Sequence, residues 1–155
     1  MRPKVNSVKR KYLLDLNTLI ALAEPDHEFH KAAGKWFQAE GKENWGVCPL
    51  TEAGFIRITT HPKYRPATRT VQQATAILSS FAEHPGYRYW PIVDSWSTLT
   101  ATFSARIFGH QQVTDAYLLG LAIKEHGVLV TFDAGFRVLA GNEYNRNLRV
   151  LSAAQ

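Results

Sequence analysis

The 155-residue sequence has few of the residues that mark disulfide-bonded, collagen-like or disordered proteins. Its one cysteine, Cys48, cannot form an internal disulfide, so nothing points to an oxidising compartment. Proline and glycine are not enriched, and 45% of the residues are hydrophobic, which is enough to form a buried core. The length fits one folded domain, expected over residues 1–155.

Long apolar segments are missing as well. Charged residues interrupt every apolar run before it reaches the roughly 20 residues that a membrane helix needs. The basic residues 1–10 are expected to form a frayed arm or the approach to a strand, and the apolar run after them contains Asp15. Because a signal peptide needs an uninterrupted apolar segment, a cytoplasmic protein without membrane contact is expected.

The charge balance is only mildly informative by itself. The sequence has 18 basic and 13 acidic residues, a net charge of +5. A surplus of this size attracts nucleic acid weakly, and it is also an ordinary charge for solubility. If four of the carboxylates gather in one pocket, however, the remaining surface is more basic than the total implies.

Short apolar runs alternate with amphipathic segments along the chain. Strands are predicted at residues 11–15, 45–48, 128–132 and 148–151, with a strand-like segment at 87–92. Helices are predicted over residues 18–23, 27–40, 51–60, 71–83, 95–108 and 113–125, with a short one after Asp133. Asp26 is the predicted N-cap of the second helix, and Asp94 or Ser95 that of the helix ending at 108. The alternation predicts an α/β sandwich of three layers, with a mainly parallel sheet of four to five strands flanked by helices.

Four acidic residues lie at equivalent ends of these elements. Asp15 and Asp133 directly follow strands, at the end of an open α/β sheet where ligands bind. Glu52 and Asp115 lie in the first turns of helices, where the helix dipole would by itself explain either one. Four carboxylates at one edge would repel one another, and a hard divalent cation is their natural counter-charge.

The type of ligand decides between metals. Zinc sites use cysteine and histidine, but the sequence has no cysteine pair. His27 and His30, on an exposed helix face, come nearest to a ligand spacing. Oxygen ligands favour Mg²⁺ or Mn²⁺ instead.

Four segments resemble the motif blocks of PIN-domain ribonucleases, and more narrowly the VapC-type toxins of toxin–antitoxin pairs. The segments are DLNTLIAL (15–22), LTEAGFIRI (50–58), TDAYLLGLA (114–122) and LVTFDAGF (129–136). Their order and spacing match over residues 12–151. The resemblance implies a PIN-like fold and hydrolysis of RNA phosphodiester bonds with Mg²⁺ or Mn²⁺.

The same resemblance implies roles for individual residues and partners. Asp15, Glu52, Asp115 and Asp133 would be the catalytic acids and metal ligands, supported by Asn17, Thr114 and Thr131. Glu52 or Asp115 could accept the proton of the attacking water. A homodimer, a cognate antitoxin whose C-terminal segment blocks the acidic groove, and a tRNA or ribosomal RNA substrate are also implied. Residues 134–136 include no fifth carboxylate, so one or two metals remain possible.

Basic residues near these motifs are expected to contact RNA. Loop cations with an aromatic neighbour suit single-stranded RNA, where phosphate contacts and base stacking combine. Solvated surface charge is the alternative for any one of them. The predicted contacts are Arg57, Lys63, Arg65, Arg69, Arg106, His110 and Arg137.

Two other functions are compatible with parts of the pattern. DLNTL (15–19) is close to the first motif of haloacid dehalogenase-type phosphatases, in which Asp15 would be a covalent nucleophile. The second acid of that motif is replaced by Asn17, and no Asp-Asp pair follows a later strand. A PIN-like module that binds RNA or a partner without cutting it is the other alternative, and the four acids argue against it.

Overall fold

The computed structural model describes residues 9–64 and 68–153. In these residues four strands form one parallel sheet in the spatial order β2-β1-β3-β4. The strands are β1 (Tyr12–Leu14), β2 (Trp45–Gly46), β3 (Val128–Thr131) and β4 (Leu148–Val150). This arrangement confirms the predicted parallel α/β architecture, with the first strand between the second and third.

Seven α-helices connect and cover these strands within the described residues. They are α1 (Leu16–Ala23), α2 (His30–Trp36), α3 (Pro49–Thr59), α4 (Val71–Ala82), α5 (Trp96–Thr100), α6 (Val113–Lys124) and α7 (Phe136–Ala140). Short 3₁₀ helices cover Ala101–Arg106, His110–Gln112 and Asn145–Asn147. None of the helices in this part of the chain is long and apolar enough to cross a membrane.

The core lies on both faces of the sheet, because successive side chains of a strand point to opposite sides. Leu13 and Leu129 belong to one buried cluster, which also contains the apolar residues of α6. Leu14 and Val130 belong to a second cluster, together with Phe55 of α3. Burial on both faces explains why the strands are short, wholly apolar runs.

The second helix is shorter at its beginning than predicted. It begins at His30 rather than at residue 27, and its N-cap is Phe29 rather than Asp26. Residues 27–29 turn instead, because the backbone N–H of Phe29 donates to Nδ1 of His27 (3.0 Å). Such local side-chain bonds compete with helix formation. At its other end the helix widens into a π-helix over Phe37–Gly41.

The segment predicted as strand-like at 87–92 is not a strand of the sheet. It runs beside β2, where Arg88 and Trp90 donate from their backbone nitrogens to the carbonyls of Trp45 (2.7 Å) and Val47 (3.0 Å). The only bridge that it forms in the described structure pairs Tyr87 with Trp45. The next carbonyl in this row belongs to Pro49, where α3 begins, so the segment remains an edge connection.

The helix predicted over 95–108 is broken. Ser95 is its N-cap, as one of the two predicted alternatives, and accepts a hydrogen bond from the backbone N–H of Thr98. The α-helix ends at Thr100, and a 3₁₀ helix follows with non-helical backbone angles at Phe103. Phe103 is 1% exposed, so the kink places its ring in the core. Between this helix and the next predicted one, His110–Gln112 form a 3₁₀ turn that leads into α6.

Close packing at Gly46 yields a stability prediction. A Cβ atom at this position of β2 would lie 1.7 Å from the carbonyl oxygen of Arg88, so the adjoining segment would have to move. Gly46→Ala is expected to lower the free energy of unfolding by about 2–3 kcal/mol, measured by urea denaturation.

Gly34, in α2, provides the matched control. A Cβ atom there meets nothing within 4 Å, and alanine is the better helix former. Gly34→Ala is expected to leave the stability unchanged or to raise it by up to about 1 kcal/mol. Equal effects of the two substitutions would contradict the packing of residues 86–90 against β2.

Candidate metal centre

Asp15 is the buried centre of the site. The residue follows β1 directly, is 7% exposed and caps the N-terminus of α1. Its Oδ1 accepts hydrogen bonds from the backbone N–H (2.9 Å) and the hydroxyl (2.7 Å) of Thr18. Burial is the main cause that raises the pKa of this carboxyl above its usual value, and these hydrogen bonds partly oppose it.

Thr131 connects Asp15 to Asp133. Its hydroxyl donates to Oδ2 of Asp15 (2.5 Å) and accepts from the backbone N–H of Asp133 (2.9 Å). Because β1 and β3 are neighbours, Asp15 and Thr131 meet at the carboxyl edge of the sheet. Asp133 is itself exposed, and its Oδ1 accepts from the backbone N–H of Gly135 (2.8 Å).

Asp115 joins these two residues from the first turn of α6. Burial raises the pKa of its carboxyl to about 6, and the negative charges of Asp133 and Asp15 add to this effect. Asp133 likewise contributes to the raised pKa of Asp15. The structure therefore brings three of the four predicted acids close enough to repel one another.

Glu52 is not among the charges that raise the pKa of Asp15 or Asp115. It is half-buried in the first turn of α3, and burial alone raises the pKa of its carboxyl. Its negative charge acts on two tyrosines of the segment beside β2. It is the second cause, after burial, that raises the pKa of Tyr87 to about 12, and it also raises that of Tyr89.

The donor chemistry of the aspartate group fits a hard divalent cation. The three aspartates offer only oxygen donors, and Oδ2 of Asp15, which accepts one hydrogen bond, keeps a lone pair. In residues 9–64 and 68–153, however, no three histidine, cysteine, aspartate or glutamate side chains are already spaced as a metal-binding group. Coordination by all three aspartates would therefore require their side chains to rearrange.

The supporting residues inferred from the sequence have different surroundings. Of the three, only Thr131 makes a hydrogen bond to a site carboxylate in the described structure. Asn17 and Thr114 are exposed. Thr18, which bonds to Asp15 from α1, is not among the residues inferred from the sequence. Its position could have indicated this contact, because the backbone N–H three residues after an N-cap aspartate commonly donates to the aspartate side chain.

The predicted RNA contacts also divide into two groups. Arg57, Lys63, His110 and Arg137 are exposed. Arg69 is paired with the buried Glu24, and its guanidinium lies 6.0 Å from the ring centre of Tyr64. Arg106 donates to the carbonyls of Leu139 (3.2 Å) and Ala140 (3.1 Å) at the end of α7.

These contacts give Arg69 and Arg106 structural roles. Arg69 attaches the loop after α3 to the end of α1, and Arg106 attaches the 3₁₀ helix Ala101–Arg106 to the end of α7. Arg65 lies outside the described residues, as do residues 1–8 of the predicted basic arm. Sequence alone contains no signal for these long-range pairings.

The repulsion at Asp115 predicts a stabilising substitution. Its pKa in the folded protein, about 6, lies above the usual 3.8, so the folded state binds this proton more tightly. The contribution to stability is therefore full at low pH and is lost as the pH rises from about 4 through about 6. With screening at this half-exposed position, Asp115→Asn is expected to raise the free energy of unfolding at neutral pH by about 1 kcal/mol.

The measurement is urea denaturation in EDTA, at neutral pH and at about pH 5. The gain from Asp115→Asn is expected to be smaller at the lower pH, because the wild-type carboxyl is then largely protonated. Glu83→Gln, at an exposed position at the end of α4, is the control with no expected gain. If Asp115→Asn lowers the free energy of unfolding, the Asp115 carboxylate stabilises the fold through favourable contacts, and repulsion by the other aspartates is not its dominant interaction.

Comparisons with known proteins agree on one family. The sequence model of the PIN domain matches residues 12–142. Ribonuclease VapC38 of Mycobacterium tuberculosis (strain ATCC 25618 / H37Rv) is 41% identical over 128 residues, which are 83% of this chain and 89% of that protein. Ribonuclease VapC39 of the same strain is 37% identical over 124 residues, 79% of this chain and 88% of its own length.

Solved structures show the same fold. A chain in the crystal structure of VapBC2 from Rickettsia felis, bound to a DNA fragment from the promoter, superposes with a TM-score of 0.64. The superposition covers 91% of this chain and 98% of that one at 15% identity. A chain of FitAB bound to an IR36 DNA fragment gives 0.57, with 83% and 90% covered at 14% identity. The protein belongs to the PIN-domain family and, within it, to the VapC ribonucleases.

Proposed function

We propose that this protein is a Mg²⁺- or Mn²⁺-dependent endoribonuclease and the toxin of a VapBC-type toxin–antitoxin pair. The observation that carries the proposal is the aspartate group at the carboxyl edge of the sheet. Asp15 is fixed and buried there, and its pKa is raised by burial and by the charge of Asp133. The pKa of Asp115 is raised by burial and by the charges of Asp133 and Asp15. Relatives at 37–41% identity are named ribonucleases, which supports the same reaction for this chain.

Each aspartate has a distinct place in this proposal. Asp15 is the fixed ligand, because Thr18 and Thr131 hold both of its oxygens. Asp133 and Asp115 are more exposed and would complete the cation site from β3 and α6. When bound, a divalent cation lowers the pKa of a water molecule and stabilises negative charge on phosphate oxygens.

Glu52 is the fourth acid of the proposed site. It lies in the first turn of α3, and its charge is not among the causes that raise the pKa of Asp15 or Asp115. We therefore assign it a role toward the substrate or its water, secondary to that of the three aspartates in holding the cation. Membership of the PIN family removes the haloacid dehalogenase alternative, in which Asp15 would be phosphorylated.

The partners follow from the same assignment. A cognate antitoxin is proposed because structural neighbours are VapBC and FitAB complexes. An arginine from such a partner would pair well with clustered carboxylates. A homodimer in the cytoplasm that cleaves a tRNA or ribosomal RNA completes the proposal. The exposed cations Arg57, Lys63, His110 and Arg137 remain its candidate RNA contacts.

Removal of the fixed ligand is the main test of the function. The purified protein is expected to cleave RNA with Mg²⁺ or Mn²⁺, and EDTA is expected to abolish the cleavage. Asp15→Asn is expected to lower the cleavage rate at least about 100-fold while the protein stays folded, because a neutral amide is a poor ligand for a hard cation. The rates are measured on labelled total tRNA and ribosomal RNA, with circular dichroism to verify folding.

Two further variants sharpen this test. Asp133→Asn, at an exposed position, is expected to reduce cleavage as strongly as Asp15→Asn, whereas Glu52→Gln is expected to have a smaller effect. Glu83→Gln, distant in sequence and exposed, is the control that retains activity. Undiminished cleavage by Asp15→Asn would refute the metal centre. RNA binding without cleavage under every metal condition would instead identify a binding module.

A further inference from the structure

A cleft of about 220 Å³ opens beside α1, the helix that Asp15 caps. Its lining residues come from α1, from the turn before α2, from the end of α3 and from the loop that follows α3. Asn17, one of the lining residues, is two residues after Asp15 in the first turn of α1. The cleft is therefore close to any phosphate that the aspartates engage, and the proposed reaction leaves it unused.

The side chains of the cleft suit a flat, partly polar ligand. Ile20 and Ile58 contribute apolar surface, and His27 and Tyr64 contribute rings. Tyr64 is attached to the fold through Arg69, whose guanidinium lies 6.0 Å from its ring centre and pairs with Glu24. Apolar surface next to rings and polar groups suits a ligand with flat faces and polar edges.

The imidazole of His27 has a defined hydrogen-bonding state. Its Nδ1 accepts the backbone N–H of Phe29 (3.0 Å), so a neutral ring must carry its proton on Nε2. The ring therefore offers one donor together with a stacking surface. Asp26, next to it, is exposed and offers only acceptors.

A row of three aromatic rings connects this cleft to the aspartate group. His27 packs at 5.6 Å from Phe29, and Phe29 stacks on Phe132 at 4.5 Å with an interplanar angle of 12°. Phe132 directly precedes Asp133 in the chain, and all three rings are half-buried. We call His27, Phe29 and Phe132 the aromatic row.

From this placement we infer that the cleft binds an unstacked nucleobase of the RNA, next to the phosphate at the aspartate group. Proteins that read single-stranded RNA stack splayed bases on aromatic and histidine rings and bond their polar edges. The cleft offers ring surfaces at His27 and Tyr64 and, for the edge of the base, acceptors at Asp26. The inference rests on the proposed ribonuclease function and adds the requirement that the substrate be unpaired at this position.

A double-mutant cycle, in which one base of the RNA and the His27 side chain are removed separately and together, tests the inference. The full chain carrying Asp133→Asn is titrated with single-stranded RNA oligonucleotides in which successive nucleotides are abasic, and the dissociation constant is measured. One abasic position is expected to weaken binding on the order of tenfold, the value of one stacked base. With His27→Ala added, the same abasic position is expected to cost nothing further.

Two variants separate stacking from other effects. His27→Phe keeps a ring and is expected to retain most of the abasic penalty. His30→Ala is the matched control, because the His30 ring bonds to the carbonyl of Ala21 (2.8 Å) and does not line the cleft. This control is expected to show the full penalty. Equal affinity of the parent and the His27→Ala protein for the abasic RNA shows that the variant is folded.

An abasic penalty that is the same with and without His27 would overturn the inference, as would the absence of any penalty. These results are distinguishable from a failure of the proposed function. If no RNA is cleaved but the cycle shows coupling, the cleft still binds a base. If RNA is cleaved and the coupling is absent, the ribonuclease assignment stands and the cleft does not bind a base.

Discussion

The hydrogen bonds to the buried carboxylate of Asp15 are the constraint on which the site depends. A charged group at 7% exposure is costly unless its oxygens are bonded, and here two threonines supply the donors. Thr18 belongs to α1 and Thr131 to β3, so the carboxylate can be satisfied only when both elements are in place. Asp15 is therefore held in position only when this edge of the sheet has assembled.

The topology of the sheet explains why distant residues meet at this edge. Asp15 and Thr131 are 116 positions apart, yet β1 and β3 are adjacent parallel strands, so their carboxyl ends coincide. Asp133 follows β3 by two residues and is aligned by the same threonine hydroxyl. The helix α6, packed on the sheet through its buried leucines, brings the third acid to the same place.

Much of this arrangement could be predicted from the sequence, for a physical reason. Strands buried on both faces are continuous apolar runs, so an acid directly after such a run marks the carboxyl edge of a parallel sheet. The predictions were wrong where one long-range or local contact overrides a pattern. The hydrogen bond from the backbone N–H of Phe29 to Nδ1 of His27 makes α2 begin at His30, three residues later than predicted. The segment at 87–90 forms hydrogen bonds beside β2 but does not become a strand of the sheet.

The mutual repulsion of the aspartates has a consequence for the life of the protein in the cell. Any species that neutralises the group and binds only the folded chain, whether a cation or a basic side chain of a partner, shifts the folding equilibrium by RT ln(1 + [L]/Kd). Occupancy of the site then governs how often the chain opens to proteases. The shift in melting temperature therefore reports the occupancy of the three carboxylates, and cleavage need not be observed.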